Sequence, residues 1–298
     1  MKKKMLGKYK AEEVWWGYIL IFPTALGLIF LNIWPAIQTA ILSFQKTIGF
    51  GKTEWVGLAN YHKLLQDKEV FQSLYNTLVY ALVSIPLIII FSLLVAVMMN
   101  QKIKGVSFYR TLYFLPVVAA PSAVAMIWKW MFNSQFGLIN NLLSKFGFTG
   151  PGWLSDPSIA IYSIIIVGVW SAIGYNMVLL LAGLQEIPKD FYESAEIDGA
   201  SKWKQFTSIT LPLVTPTLFF VVVTTVINSF QVFDVIFMMM PPSSEAMYKT
   251  QSLAYLFYKH SFILNDKGYG SAIVVFLLLI ILVITAVQMK LQKMWVHY

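Results

Sequence analysis

Residues 185–212 read QEIPKDFYESAEIDGASKWKQFTSITLP, a polar stretch with apolar runs on both sides that we call the island. Pro188 suits the first position of a helix, because its missing N–H would have no partner there. Asp190 follows in the first turn, where the helix dipole favours negative charge. Gly199 indicates the end of this helix, since glycine enters the left-handed conformation without steric cost. The island therefore predicts a short helix over residues 188–199.

The apolar runs around the island have the length of membrane spans. Hydrophobic residues make up 58% of the 298-residue chain and charged residues only 12%. Six apolar segments reach the roughly 20 residues that span about 30 Å of hydrocarbon. They cover residues 14–41, 73–99, 108–131, 159–183, 211–240 and 268–289. The sequence thus predicts an all-α polytopic membrane protein with six transmembrane helices and both termini on one side.

Five regions are expected along the chain. They are a tail at 1–13, a first transmembrane helix at 14–44, an outer loop at 45–72, a core at 73–290 and a second tail at 291–298. The core holds five transmembrane helices and the island loop at 185–210. Pro212, just after this loop, is expected to begin the next helix.

Basic residues predict the orientation of these spans. More than half of the 22 lysine and arginine residues lie at the termini or in loops on the island side. They are Lys2, Lys3, Lys4, Lys8, Lys10, Lys102, Lys104, Arg110, Lys189, Lys202, Lys204, Lys290 and Lys293. Because cytoplasmic loops are rich in lysine and arginine, we expect the island and both termini in the cytoplasm. The same scatter among loops argues against a nucleic-acid partner.

Sites for catalysis or metal binding are not expected. The absence of cysteine excludes disulfides, Cys-based metal sites and thiol nucleophiles. The three histidines show no metal-ligand spacing, and no Ser-His-Asp or paired-carboxylate pattern occurs. Residues 51–53 read GKT, but Lys46 stands where a phosphate-binding loop needs its first glycine. We therefore predict no bound cofactor, and the chain must obtain its energy from a partner.

The island also carries a spaced motif of the form E-A-A, three residues, G, nine residues, I-x-L-P. It comprises Glu193, Ser194, Ala195, Gly199, Ile209, Leu211 and Pro212. This pattern resembles the signature loop of binding-protein-dependent ABC importer permeases, with Ser194 in place of the first alanine. Other stretches over almost the whole chain, such as VGLANY at 56–61, are similar to the first permease subunits of maltose, multiple-sugar and glycerol-3-phosphate systems. One departure is MMMPPSS at 238–244, where the family commonly has a Gly-rich turn.

The resemblance implies a type I ABC importer permease fold in a prokaryotic plasma membrane. In that family the signature loop is a coupling helix, which docks in a cleft of a cytoplasmic ATPase. The implied partners are a second homologous permease, two ATPase subunits that use ATP and Mg, and an extracytoplasmic solute-binding protein that delivers a sugar. Glu193, Glu196 and Asp198 would then contact the ATPase, while Ala195 and Gly199 would permit its close approach.

Polar residues inside the predicted spans are candidates for a solute path. Thr224, Asn228, Gln231 and Asp234 fall within an arc of about 120° on a helical projection, and Asn176 lies in the fourth predicted span. A polar stripe of this kind would suit sugar hydroxyls along a water-filled path. The alternative is that these groups form interhelical hydrogen bonds or lie at the outer headgroups, and both interpretations remain open.

Other functional classes make different demands on the sequence. A solvated amphipathic connector would account for the island alone. An ion-coupled secondary sugar carrier predicts inverted repeats and charged coupling residues at the membrane midplane. A membrane-embedded transferase would need clustered acids or histidines at a membrane face. We find no internal repeat, and the acidic cluster is the island itself.

Overall fold

The computed structural model describes residues 6–49, 52–101 and 104–295, which are mostly helical. The helices are α1 (Leu6–Leu28), α2 (Trp34–Leu42), α3 (Ala59–Gln66), α4 (Lys68–Met99), α5 (Val106–Val118), α6 (Pro121–Met131), α7 (Leu138–Lys145), α8 (Ala160–Gln185), α9 (Lys189–Ile197), α10 (Lys202–Gln205), α11 (Leu211–Leu213), α12 (Thr215–Phe230), α13 (Asp234–Met239), α14 (Glu245–Tyr248), α15 (Leu253–Tyr258) and α16 (Lys267–Trp295). Single π-helical turns occupy Ile29–Ile33, Phe206–Thr210 and Lys259–Ile263. Strands β1 (Gln45–Gly49) and β2 (Lys52–Trp55) form an antiparallel hairpin.

Within the described residues, four helical stretches are long and apolar enough to cross a membrane. They are Glu13–Leu42, Lys68–Met99, Ala160–Gln185 and Lys267–Lys293. Two bent helix pairs raise the number to six if each pair counts as one span. This agrees with the predicted helical polytopic fold. Helix already begins at Leu6, inside the predicted tail, while residues 1–5 and 296–298 lie outside the described chain.

The third predicted span, 108–131, is bent rather than straight. Helices α5 and α6 meet at an angle of 99°. Ala119 and Ala120, between them, have extended ψ angles of 142° and 132°. The residue before a proline is disfavoured in the helical region, and Pro121 follows immediately as the first residue of α6. The break therefore has a local steric cause, and its angle comes from packing.

The fifth predicted span, 211–240, is likewise not one continuous helix. The helical run Lys202–Leu213 meets α12 at 67°, and α12 ends at Phe230, before α13 begins at Asp234. Pro216 has no N–H to donate to the carbonyl of Pro212. The Thr215 hydroxyl bonds that carbonyl instead, at 2.6 Å. The bend thus lies where proline interrupts the helical hydrogen-bond ladder.

Helix α8 is the centre of the bundle and packs against α4, α5 and α12. Its Ile164, Val167, Met177 and Leu180 are fully buried. A Cβ on Gly174 would lie 2.0 Å from the carbonyl oxygen of Tyr113, so α5 reaches α8 because this residue has no side chain. Lipid tails are as apolar as leucine, and such close packing is what holds membrane helices together.

The end of the bundle opposite the island, which we call the far end, is built from loops clamped by asparagine. The predicted loop 45–72 contains the hairpin and α3, the one departure from an all-α chain among the described residues. Three buried asparagine side chains each donate two hydrogen bonds to loop carbonyls. The pairs are Asn60 to Ser43 and Gln45, Asn76 to Tyr248 and Gln251, and Asn140 to Ser134 and Pro151. The loops of the far end are therefore tied together by side-chain hydrogen bonds.

Candidate functional site

The island folds into the helix that its sequence predicts. Helix α9 covers Lys189–Ile197, with Asp190 in its first turn. Pro188 lies one position earlier than predicted, at the N-cap, with φ −60° and ψ 135°. This is within the uncertainty with which helix boundaries are assigned.

Gly199 ends this helix with φ +75°. The Ala200 N–H donates to the carbonyl of Ala195 at 2.8 Å, and the Gly199 N–H donates to the carbonyl of Glu196 at 3.1 Å. These two bonds form a Schellman motif, which satisfies the last carbonyls of a helix. A Cβ on Gly199 would meet no heavy atom within 4 Å, so the backbone conformation alone requires glycine within this chain.

Side chains from the second half of the island hold α9 in place. The Tyr192 hydroxyl lies 2.9 Å from the Thr210 hydroxyl. The buried Gln205 side chain donates to the carbonyl of Ala200 at 3.1 Å, and Lys202 forms an ion pair with Glu196. The island is therefore a fixed two-helix unit.

The remaining surface of α9 is open. None of its nine described residues is buried. Ala195 is half-buried, whereas Glu193, Ser194, Glu196 and Asp198 are exposed. Ile197 and Phe191, which sequence reasoning did not select, are 87% and 51% exposed. A short helix with acids and large apolar groups on its surface is suited to docking in a cleft of another protein.

Electrostatics at this surface centre on Glu196. The hydrogen bond and positive charge of Lys202 hold the pKa of the Glu196 carboxyl below its ordinary value. Glu196 is thus ionised at neutral pH and already has a partner within the chain. The exposed carboxylates of Asp190, Glu193 and Asp198 are open to a second protein.

The end of the motif lies at the bend. Ile209 is in the π-helical turn Phe206–Thr210 and packs against the cluster of α4 and α8 side chains at the island end. Leu211 and Pro212 lie in the short helix α11. The sequence predicts that Pro212 begins the next helix, but the long helix α12 begins at Thr215. The motif therefore joins the exposed helix to the bend at the base of a membrane-spanning helix.

The predicted polar stripe is divided between two helices. Thr224 and Asn228 lie on α12, Gln231 follows its last residue, and Asp234 begins α13. A single 120° arc is wrong for this set, because the helix does not continue to Asp234. Asn228, Gln231 and Asp234 are exposed, while the Thr224 hydroxyl donates to carbonyls of its own helix.

Asn176 is separate from that group. Its side chain is buried in α8 and donates to the carbonyl of Ala172 at 3.1 Å. Tyr192, Gln205 and Thr210 were missed by sequence reasoning, because no periodic signal connects them. Among the described residues, no group of three His, Cys, Asp or Glu side chains could hold a metal ion.

Comparison with known proteins gives a consistent result. Residues 58–295 match the family described as "Binding-protein-dependent transport system inner membrane component". The trehalose/maltose transport system permease protein MalF of Thermococcus litoralis is 33% identical over 295 residues, which are 98% of this chain and 99% of the relative. The sn-glycerol-3-phosphate transport system permease protein UgpA of Yersinia pestis is 32% identical over 288 residues, covering 95% and 96%.

A solved structure agrees with the fold. One chain of a bacterial alginate ABC transporter, crystallised with an alginate pentasaccharide-bound periplasmic protein, matches with a TM-score of 0.85. The match covers 96% of each chain at 22% identity. At that identity, the comparison supports the overall fold of the bundle.

Proposed function

The chain belongs to the family of binding-protein-dependent transport system inner membrane components, and from this we propose that it is the permease subunit of an ATP-driven sugar importer. It is a multi-pass membrane protein. In this proposal it forms half of the translocation pathway. It is coupled through α9 to a cytoplasmic ATPase that hydrolyses the ATP.

The observation that carries the proposal is the construction of α9. This helix is closed by a Schellman motif, tied to Thr210 through Tyr192, and has no buried side chain along its described length. A surface helix that buries none of its side chains against its own chain is expected to be covered by another protein. Because it is rigidly joined to the bend before α12, a force on α9 would reach the membrane-spanning part.

The proposed partners follow from the family of the chain and from its relatives. Two ATPase subunits would supply energy, one contacting α9 and the other contacting the equivalent helix of a second, homologous permease. An extracytoplasmic binding protein would deliver the sugar at the far end. This orientation places the island and both termini in the cytoplasm, in keeping with the lysines of the island and of the chain ends.

The solute path is proposed near the far end of α12. Asn228, Gln231 and Asp234 are exposed there. Exposed amides and carboxylates are costly in hydrocarbon and usually face a water-filled cavity or a partner. The two bent helix pairs give the bundle places where small rotations could open or close such a path.

The test is purification of the transporter from native membranes in mild detergent, with mass spectrometry of the proteins that elute together. We expect an ATPase and a second permease. Ile197→Glu would place a charge on the exposed apolar tip of α9 and should remove the ATPase. Phe146→Glu is the matched control, because Phe146 is 78% exposed at the far end.

Three outcomes would contradict the proposal. Elution of this chain alone, with sugar transport retained after crosslinking, would favour an ion-coupled carrier. Retention of the ATPase by Ile197→Glu would show that the ATPase docks elsewhere. Transfer activity on a lipid substrate by the purified chain would instead support the transferase alternative.

A further inference from the structure

An open groove runs between α5 and α8, and we call it the α5–α8 groove. Its volume is about 560 Å³, and it is lined by Arg110, Thr111, Phe114, Leu115, Val118 and Val178. The first five of these residues follow one face of α5, because side chains four positions apart lie one above the other on a helix. Val178 belongs to α8 and forms the opposite wall. The groove is therefore a furrow between two helices of the bundle.

The α5–α8 groove begins near the island and extends away from it. The end of α4 borders the island, since Asn100 shares a cleft with Tyr192 and Lys202. Arg110 is tied to this end of α4, because its Nη2 donates to the carbonyl of Met99 at 3.0 Å. Arg110 thus marks the island side of the groove.

The rest of the groove is apolar and open. Leu115, Val118 and Val178 are 60%, 73% and 42% exposed. The eight positions from Arg110 to Val118 rise about 12 Å along a helix. One leaflet contributes about 15 Å, half of a hydrocarbon core of about 30 Å. The groove therefore has a cation at one end and an apolar length close to the depth of one leaflet.

Arg110 is the single arginine of the chain, and it has hydrogen-bond donors to spare. A guanidinium carries five N–H donors and no acceptor. Within the described residues, the Nε of Arg110 is buried without a hydrogen-bond partner, and no ion pair includes this side chain. An acceptor from outside the chain is therefore needed to satisfy it.

The surroundings of Arg110 favour an anion as that acceptor. Residues 100–118 contain no aspartate or glutamate, and Lys104 is exposed just before α5. Helix α5 begins at Val106 without a side-chain cap. The positive end of its dipole therefore lies on the same side of the membrane as Arg110 and Lys104.

We propose that the α5–α8 groove binds one anionic phospholipid of the leaflet at the island end, which is the cytoplasmic leaflet in the proposed orientation. The phosphate would accept hydrogen bonds from Arg110, whose planar fork fits phosphate oxygens. One acyl chain would lie along Leu115 and Val118, against Val178. Basic pockets between membrane helices on the cytoplasmic side bind lipid head groups in this way.

Other occupants satisfy only part of the groove. A free phosphate ion would pair with Arg110 but leave the apolar walls uncovered. A helix of the second permease could cover those walls, yet it would have to bring a carboxylate to a depth at which ionisable side chains are costly. A zwitterionic lipid would bring a positive charge of its own towards Arg110 and Lys104, where like charges repel. An anionic phospholipid supplies both the anion and the hydrocarbon.

Photo-crosslinking in lipid nanodiscs would test the proposal on the transporter as purified from native membranes. Two probes carry the same diazirine-bearing acyl chain and differ only in head group, one being a phosphatidylglycerol and the other a phosphatidylcholine. Mass spectrometry locates the adducts. We expect the phosphatidylglycerol probe to label Leu115, Val118 or Val178, and the phosphatidylcholine probe to label them several-fold less.

Two variants separate the charged end from the apolar length. Arg110→Gln removes the charge but keeps an N–H donor for the carbonyl of Met99, and should lower phosphatidylglycerol labelling to the phosphatidylcholine level. Val178→Trp fills the groove and leaves Arg110 in place, so it should also lower the labelling and serves if Arg110→Gln fails to fold. Lys290→Gln is the matched control, because Lys290 is exposed near the end of α16 and lies outside the groove lining. It should label as the wild type does.

Equal labelling by the two probes would overturn the proposal, because it would reduce the occupant to ordinary bilayer lipid. Unchanged phosphatidylglycerol labelling in Arg110→Gln or in Val178→Trp would do the same. Absence of groove adducts from the assembled transporter would also overturn it and would favour a subunit contact at this face. Co-elution of the wild-type chain with its ATPase is measured separately, so the importer function can stand when the lipid proposal fails.

Discussion

The Tyr192 hydroxyl lies 2.9 Å from the Thr210 hydroxyl, although eighteen positions separate the two residues in sequence. Tyr192 is on the exposed helix α9, and Thr210 ends the π-helical turn before α11. This contact bypasses the loop around Gly199 and joins the docking surface directly to the bend below α12. A displacement of α9 would therefore act on the membrane-spanning part through a short and stiff connection.

Tyr192→Phe removes this hydrogen bond and keeps the ring. We expect a loss of about 1 kcal/mol in the stability of the island. The ATPase should still elute with the chain, while sugar uptake per ATP hydrolysed falls several-fold in reconstituted vesicles. Tyr175→Phe is the control, since Tyr175 is exposed on α8, and it should behave as the wild type. Unchanged coupling in Tyr192→Phe would show that force is transmitted by another contact.

Substitution of Gly199 should act through the backbone, because φ is +75° and the surrounding space is empty. An alanine there should cost about 1–2 kcal/mol, and Gly199→Asn less, since asparagine tolerates this conformation better. Gly199→Glu should insert normally but abolish coupled uptake, because a bulky acid would stand where the ATPase approaches. The measurements are membrane insertion, co-elution of the ATPase and uptake. Normal uptake by Gly199→Glu with the ATPase assembled would argue strongly against this role.

Gly174 is the position where α5 comes closest to α8. A Cβ would lie 2.0 Å from the Tyr113 carbonyl oxygen, which is backbone and cannot turn aside. Gly174→Ala should therefore cost about 1–3 kcal/mol, as overpacked sites do, and lower the melting temperature in detergent. Gly17→Ala is the control, because nothing lies within 4 Å of its Cβ position. Equal melting temperatures for the two variants would mean that α5 moves freely.

Asn140, on α7, clamps the loops on both sides of this helix. It donates to the carbonyls of Ser134 and Pro151, and accepts from the Trp153 indole at 2.6 Å. Asn140→Ala leaves these groups without their partner and should lower stability by about 2–3 kcal/mol. The neighbouring Asn141 is exposed, so Asn141→Ala is expected to be nearly neutral. Thermal unfolding of the two variants side by side provides the measurement, and similar losses would contradict the clamp.

His260 makes the far end sensitive to acid. Burial lowers the pKa of its imidazole, and the charge of Lys63 lowers it further. Lys259 also lowers this pKa, whereas the carboxylates of Glu69 and Asp266 raise it. The pKa of His260 in the folded protein is thus below the ordinary 6.5. Between these two pKa values the unfolded chain binds a proton at His260 more readily than the folded protein does. Stability should be full above about pH 6.5, fall as the pH drops below it, and level off under the folded pKa.

Melting temperatures between pH 8 and pH 5 would reveal this dependence. The His260→Gln variant should lose the part of the acid sensitivity that belongs to the imidazole. His62→Gln should keep it, because His62 is exposed. An unchanged pH profile in His260→Gln would assign the sensitivity to other groups.

Several features followed from the sequence because they depend on short-range rules. The apolar segments 73–99 and 159–183 agree with α4 and α8 to within a few residues, since span length is set by side-chain hydrophobicity. Gly199 marks the end of the island helix correctly, because a single residue must adopt the left-handed conformation. The spaced motif also indicated the family that the match over residues 58–295 confirms.

Other features were decided by the tertiary structure. Packing determines the 99° and 67° bends and the separation of Asp234 from the stripe on α12. It also brings together Phe233 and Phe262, whose rings both contact Tyr258. Prolines reveal where a helical ladder can break, yet the angle is set by helices distant in sequence. The amino-acid sequence by itself determined the spans and the exposed helix, through local conformational preference and hydrophobicity. Only the folded chain could bring Tyr192 to Thr210, because that contact is selected by the packing of the whole bundle.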